Sequence, residues 1–131
     1  MTTLHQDPYR SYQAVNVGAQ TAQASPVQLV LMLMSALHDE LARARAHIEG
    51  KRFEAKAKSI ERCANILRGL ASALDMESGG EVVQQLAELY DYCVRRLYLA
   101  GHRLDAAIVD EVIGLLQTIE GGWRGVQVRY G

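Results

Sequence analysis

Four successive runs of this chain carry apolar residues spaced by threes and fours, and no run alternates with period two for long enough to make a strand. That spacing lays the apolar side chains of each run along one stripe of an α-helix. The first stripe reads Leu29, Leu33, Ala36, Leu37, Leu41, Ala44 and Ile48, and the second Phe53, Ala57, Ile60, Ala64, Leu67 and Leu74. The third carries Val82, Leu86, Leu89, Tyr90, Cys93, Leu97 and Ala100, and the fourth Ile108, Val112, Leu115, Leu116, Ile119 and Trp123. Local signals mark the ends. Ser25 is suited to an N-cap, Pro26 to the first helical position, and Gln28 to closing a capping box. Gly50 should end the first helix, and the second has no clean cap at its start. Asp75 to Gly80 reads as a turn in which Ser78 and Glu81 supply another box, Gly101 ends the third helix, and Asp105 caps the fourth. The predicted helices are 26–49, 53–74, 80–100 and 105–123. Elements of about 20 residues run about 30 Å. Joined by short connections, they predict an all-α fold, an antiparallel up-and-down four-helix bundle over 25–124.

The flanks read differently. Residues 1–24 are polar and small, too poor in apolar area to order themselves, and predict a mobile arm. Tyr12, Val15 and Ala19 could share the face of a short helical piece within it, lying on the bundle through Tyr9 and Tyr12. Gly121, Gly122 and Gly125 loosen the other end, so 125–131 is predicted to be a flexible tail. A chain of 131 residues suffices for one core. Its net charge of −1 gives no overall attraction to nucleic acid or anionic membrane. No apolar run approaches the roughly 20 residues of a membrane span, and the first residues lack the basic-then-apolar order of an export signal. A cytoplasmic protein is expected, with Cys63 and Cys93 as ordinary buried thiols.

No catalytic residue, metal ligand or cofactor is expected. A di-iron bundle needs inward Glu-x-x-His pairs, yet the residues three before His38, His47 and His102 are Ser35, Ala44 and Leu99. Haem-attachment, zinc and phosphate-loop motifs are absent from the sequence. His47 and His102 lie near helix C-termini, where an imidazolium gains from the macrodipole. Lys51, Arg52, Lys56, Lys58 and Arg62 form the one basic stretch, interrupted by Glu54 and Glu61. It reads as a solvated outer face, or as a contact for an acidic partner or RNA, and the lack of interleaved aromatics counts against RNA.

Two features exceed what a bundle requires. Seven of the eight residues from Val27 to Met34 are apolar, whereas one buried stripe uses three or four in seven. Val30, Leu31, Met32 and Met34 fall off the stripe read above, so either a second layer of this chain or a partner must cover them. The methionines are flexible enough to repack against varied surfaces. On the third helix, Tyr92, Arg95, Arg96 and Tyr98 are left nearer the surface, with Asp91 placed to pair with Arg95. Exposed Tyr and Arg are the types that dominate binding hot spots, although packing or solvation explains them equally well.

Several strings together resemble the bacterial flagellar secretion chaperone family FliS. They are Tyr12-Gln13 with Val15, Ala24 to Leu33, Ala73 to Glu81, Leu86 to Leu97 with its Leu-Tyr-Asp-Tyr core and Arg95-Arg96-Leu97, and Asp110-Glu-Val-Ile113 followed by Trp123. They occur in family order over about residues 9–124. After Leu33 the family usually continues Tyr-Asp-Gly-Ala, where this chain has Met34-Ser35-Ala36. The resemblance implies a helical-bundle chaperone without enzymatic activity. Such a protein binds the disordered C-terminal region of flagellin, prevents premature polymerisation and assists delivery to the flagellar type III export apparatus. Other flagellar regulators are possible further partners; nucleic acid and membrane insertion are not expected. The resemblance makes Tyr9, Tyr12 and Val15 part of a segment lying over the client surface. The partner-binding set is then Tyr9, Tyr12, Val15, Val30, Leu31, Met32, Met34, Tyr92, Arg95 and Arg96. The alternative is another helical secretion or regulatory adaptor that binds an amphipathic helix.

Overall fold

A computed structural model describes residues 24–75, 77 and 79–130. Its four helices are α1 (Pro26–Glu49), α2 (Phe53–Ser72), α3 (Gly80–Arg103) and α4 (Ala106–Tyr130). The start of α1 is the capping box that its sequence calls for. The Ser25 hydroxyl accepts the Gln28 N–H at 3.1 Å, and the Gln28 side chain accepts the Ser25 N–H at 2.8 Å. Asp105 likewise accepts the Ala107 N–H at 3.0 Å as α4 begins. Each helix packs against its two neighbours around a square, α1 on α2 and α4, and α3 on α2 and α4. The architecture is the all-α four-helix bundle expected from the sequence.

Side-chain stripes from all four helices meet in one core around Leu37, Leu41, Leu67, Tyr90, Leu97, Val112 and Leu116. Cys63 and Cys93 are free thiols buried within it. Burial there pushes the Cys63 thiol up to about 12, and burial likewise pushes the Cys93 thiol up to about 11. No described helix is long and apolar enough to cross a membrane.

The structure corrects the stripe of α1. Met34, read as surplus, is 0% exposed in the core, and Leu31 is 8% exposed, while Leu29 and Leu33 are half-buried and Ala36 is exposed. Helical geometry gives the reason. At about 100° per residue, Met34 lies within about 20° of the direction of Leu41, whereas Leu29 is about 120° away. Apolar residues were so dense here that two stripes fitted the spacing. In α2 and α3 some of the stripe positions also fail to reach the core: Phe53, Ala57, Val82 and Leu89 are exposed.

Three boundaries differ as well. Gly101 is buried inside α3 rather than ending it; a Cβ there would lie 2.5 Å from the Ile60 Cδ1. It permits α2 and α3 to approach, and α3 ends instead at Leu104 in the left-handed region, with φ of 54°. Gly79 is the N-cap of α3, one residue later than the Ser78 box predicts, and Ser78 lies outside the described residues. The largest difference is α4. It continues through Gly121, Gly122 and Gly125 to Tyr130, where a flexible tail was predicted from 125. Each glycine costs a helix about 0.5–1 kcal/mol relative to Ala, but Ile119 and Trp123 pack on the core and Arg124 pairs with Glu120 at 2.8 Å. Packing outweighs local propensity. The predicted arm lies outside the described residues except for Ala24, and with it Tyr9, Tyr12 and Val15.

Candidate functional site

The bundle has two unlike ends. Its base holds the connections 50–52 and 104–105; its crown holds the 73–79 connection, the start of α1 and the end of α4. Towards the base the seams are pinned by charge. Arg45 of α1 grips Asp110 of α4 with two hydrogen bonds, 2.7 and 3.0 Å. Glu40, 6% exposed, is held between Arg43 at 3.0 Å and Arg62 of α2 at 3.2 Å. Tyr98 donates to Glu61 at 2.9 Å and accepts from Arg68 at 3.2 Å across the α2–α3 seam.

Tyr92, Arg95 and Arg96 belong to this pinned region. The Tyr92 hydroxyl donates to Glu111 at 2.6 Å, and the Arg96 Nε donates to the other oxygen of the same carboxylate at 2.8 Å. Those two bonds, Tyr92 first, hold the Glu111 carboxyl below its ordinary range. Arg95 pairs with Asp91 at 3.0 Å, and both guanidinium groups lie about the Tyr92 ring, 5.8 and 6.0 Å from its centre. The polar tips of Tyr92 and Arg96 are therefore engaged in joining α3 to α4; Arg95 remains exposed on α3.

Towards the crown the seams open, and α4 forms a wall of two grooves. One lies between α1 and α4, with a volume of 430 Å³, and is lined by Ala24, Gln28, Leu31, Met32, Ser35, Arg124 and Gln127. Leu31 and Met32 reach it; Val30 is half-buried against the core, and Met34 is inside the bundle. Beneath it, Glu120 lies 3.2 Å from the His38 Nε2 and accepts from Arg124 at 2.8 Å. The second groove, of 340 Å³, runs between α3 and α4. Its lining is Leu74, Val82, Val83, Leu86, Thr118, Ile119, Gly122, Trp123 and Val126, apolar but for one hydroxyl. Trp123 is oriented by its ring N–H, which donates to the Tyr90 hydroxyl at 3.4 Å.

Sequence reasoning missed this second groove. The third stripe predicts Val82 in the core, yet it is 72% exposed, and Val126 falls in the predicted tail. A usable signal existed: Ile119, Gly122, Trp123 and Val126 continue the threes-and-fours spacing straight through the glycines. No group of three or more His, Cys, Asp or Glu that could hold a metal occurs among the described residues. The arrangement can hold apolar helix surface. An apolar concavity rimmed by a few polar groups, on elements fixed by a packed core, is suited to binding by shape and burial.

Comparison with known proteins gives the same direction. Residues 8–130 match the family model of the flagellar protein FliS. The chain is 40% identical over 118 residues to the flagellar secretion chaperone FliS of Salmonella typhimurium, covering 89% of this chain and 87% of that one. It is 37% identical over 117 residues to the flagellar secretion chaperone FliSB of Pseudomonas aeruginosa, covering 89% and 93%. With the FliS of Bacillus subtilis it shares 29% identity over 119 residues. A match over nearly the whole chain, carried by a helical bundle, makes this protein a member of the FliS family.

Proposed function

We propose that this chain is a cytoplasmic export chaperone for flagellin. It binds the disordered C-terminal region of the client, prevents premature polymerisation and assists delivery to the flagellar type III export apparatus. The relatives named flagellar secretion chaperones support the class of activity. The observation that carries the reading is the groove between α3 and α4, whose apolar lining remains open although the core beneath it is complete. A client segment that folds as an amphipathic helix there satisfies its own backbone and hides its apolar face. Ordering a disordered segment costs on the order of 2–5 kcal/mol or more, so contact must be extended. The Leu31–Met32 groove on the other flank of α4 supplies a second contact without a second domain. The chaperone's role is to bind and shield; no bond of the client is made or broken.

The test compares full-length flagellin with flagellin lacking its C-terminal region in titration calorimetry. The full-length client should bind, and removal of that region should weaken affinity by well over about tenfold, since the greasy contact is lost with it. Equal affinity for the two would contradict the mechanism.

A further inference from the structure

The base of the bundle carries a second surface, at the opposite end from both grooves. All four helix ends meet there: Arg45 ties α1 to α4, and the Lys56 Nζ donates to the Gly101 carbonyl at 2.9 Å, tying α2 to α3. Around that junction the charges do not balance. Glu49 and Asp110 are taken by Arg45, Glu54 faces Lys58 at 3.5 Å, and Asp105 caps α4. Among the described residues, Lys51, Arg52, Lys56 and Arg103 have no carboxylate partner. Arg52 instead bonds the His47 ring and the Ala46 carbonyl, both at 3.0 Å. Two large apolar side chains stand among these cations. Phe53 is 57% exposed and Leu104 37% exposed. The Lys56 ammonium lies 5.7 Å from the centre of the Phe53 ring.

We propose that this basic, aromatic-bearing base is a docking surface for an acidic, leucine-containing segment of a second protein, engaged while the client occupies the crown. Charge complementarity identifies the partner. The base holds six cations, Arg45 and Lys58 among them, against the four carboxylates Glu49, Glu54, Asp105 and Asp110. This local positive surplus at one end of a chain with net charge −1 attracts anionic groups where the whole molecule would not. Phe53 and Leu104 provide the short-range contact that holds such a segment once it arrives. A second copy of this chain fits less well. Its crown does carry Glu77, Glu81 and Glu88, but base-to-crown contact is heterologous and would extend into rings or filaments of many copies. A flat anionic membrane would press on Glu49, Glu54 and Asp110 as well as on the cations, whereas a narrow segment can pass between them. The helices separating base from crown are 24 residues long in α1, about 36 Å, so both surfaces can be occupied together.

Fluorescence anisotropy on the full chain tests this, with a labelled peptide of repeated Glu-Glu-Leu units as the probe and a Lys-Lys-Leu repeat as its control. The acidic peptide should bind at least about tenfold more tightly than the basic one at about 20 mM salt, and weaken as salt rises. The double variant Phe53→Ser/Arg103→Glu, with helix content checked by circular dichroism, should lose that binding and keep its affinity for flagellin. Arg129→Glu, at the crown, should leave the acidic peptide unaffected. The proposal is overturned if the acidic peptide does not bind, or if Arg129→Glu weakens it as much as the base variant does. It is equally overturned if vesicles containing phosphatidylserine are bound while the peptide is not, or if the chain self-associates through the base in sedimentation. Because flagellin binding is read separately, its failure would not be confused with failure at the base.

Discussion

The base half and the crown half of this bundle are made of the same four helices and differ in how their seams are closed. Near the base, Leu41, Ala44 and Ile48 of α1 meet Ile60, Ala64, Leu97, Ala100 and Val109 with almost no exposure, and ion pairs lock the rims. Near the crown, Val82 and Val126 flank a groove, and glycines replace side chains along α4 where a Cβ would touch nothing. The bundle therefore separates two tasks along its length. One half supplies stability through close packing, and the other leaves apolar surface unspent, where the proposed client helix would dock.

Substitutions can break that contrast. Leu41→Ala should have the largest effect, about 2–5 kcal/mol lost in urea denaturation, because the site is fully buried and cannot collapse. Val82→Ala should stay within about 0.5 kcal/mol in the same measurement. If the two cost the same, the crown is packed as the base is. Val82→Glu comes next. It should leave stability nearly unchanged but weaken flagellin binding by more than about tenfold, since the new charge would have to be buried without a partner. Unchanged affinity would place the client elsewhere.

Gly122→Ala sharpens the comparison further. Its Cβ meets nothing within 4 Å, so α4 should gain about 0.5–1 kcal/mol in thermal or urea unfolding. The same methyl intrudes on the groove and should weaken the client, separating stability from function at one atom. The smallest effect concerns pH. Glu111 has its folded pKa lowered from 4.5, first by Tyr92 and then by Arg96. Its contribution is therefore present above the unfolded value and is lost as pH falls through the folded one. Between about pH 6 and 3, the melting temperature of Glu111→Gln should fall less than that of the unaltered chain. Parallel curves would mean that the α3–α4 pin is not a source of stability.

Much of the base was legible in the sequence. Cys93, Leu97 and Ala100 fall on one stripe with no competing assignment, and the structure buries all three. The crown was less legible for two opposite reasons. In Val27 to Met34 there is too much apolar material, so Leu29 and Met34 both fitted a stripe and only the direction of Leu41 distinguishes them. At the end of α4 there is too little, because three glycines within five residues suggest a loose tail. Of the surplus residues in α1, Leu31 and Met32 line a groove while Met34 does not. The richer groove came from valines assigned elsewhere.

Periodicity and capping chemistry determined the helices, the bundle and the starts of α1 and α4, because those signals act between residues no more than a few positions apart. Only the tertiary structure decided which side of α1 faces inward, that α4 continues past its glycines, and that a greasy channel remains between α3 and α4. These depend on contacts between segments distant in the chain, where burial of Ile119 and Trp123 outweighs what glycine prefers alone.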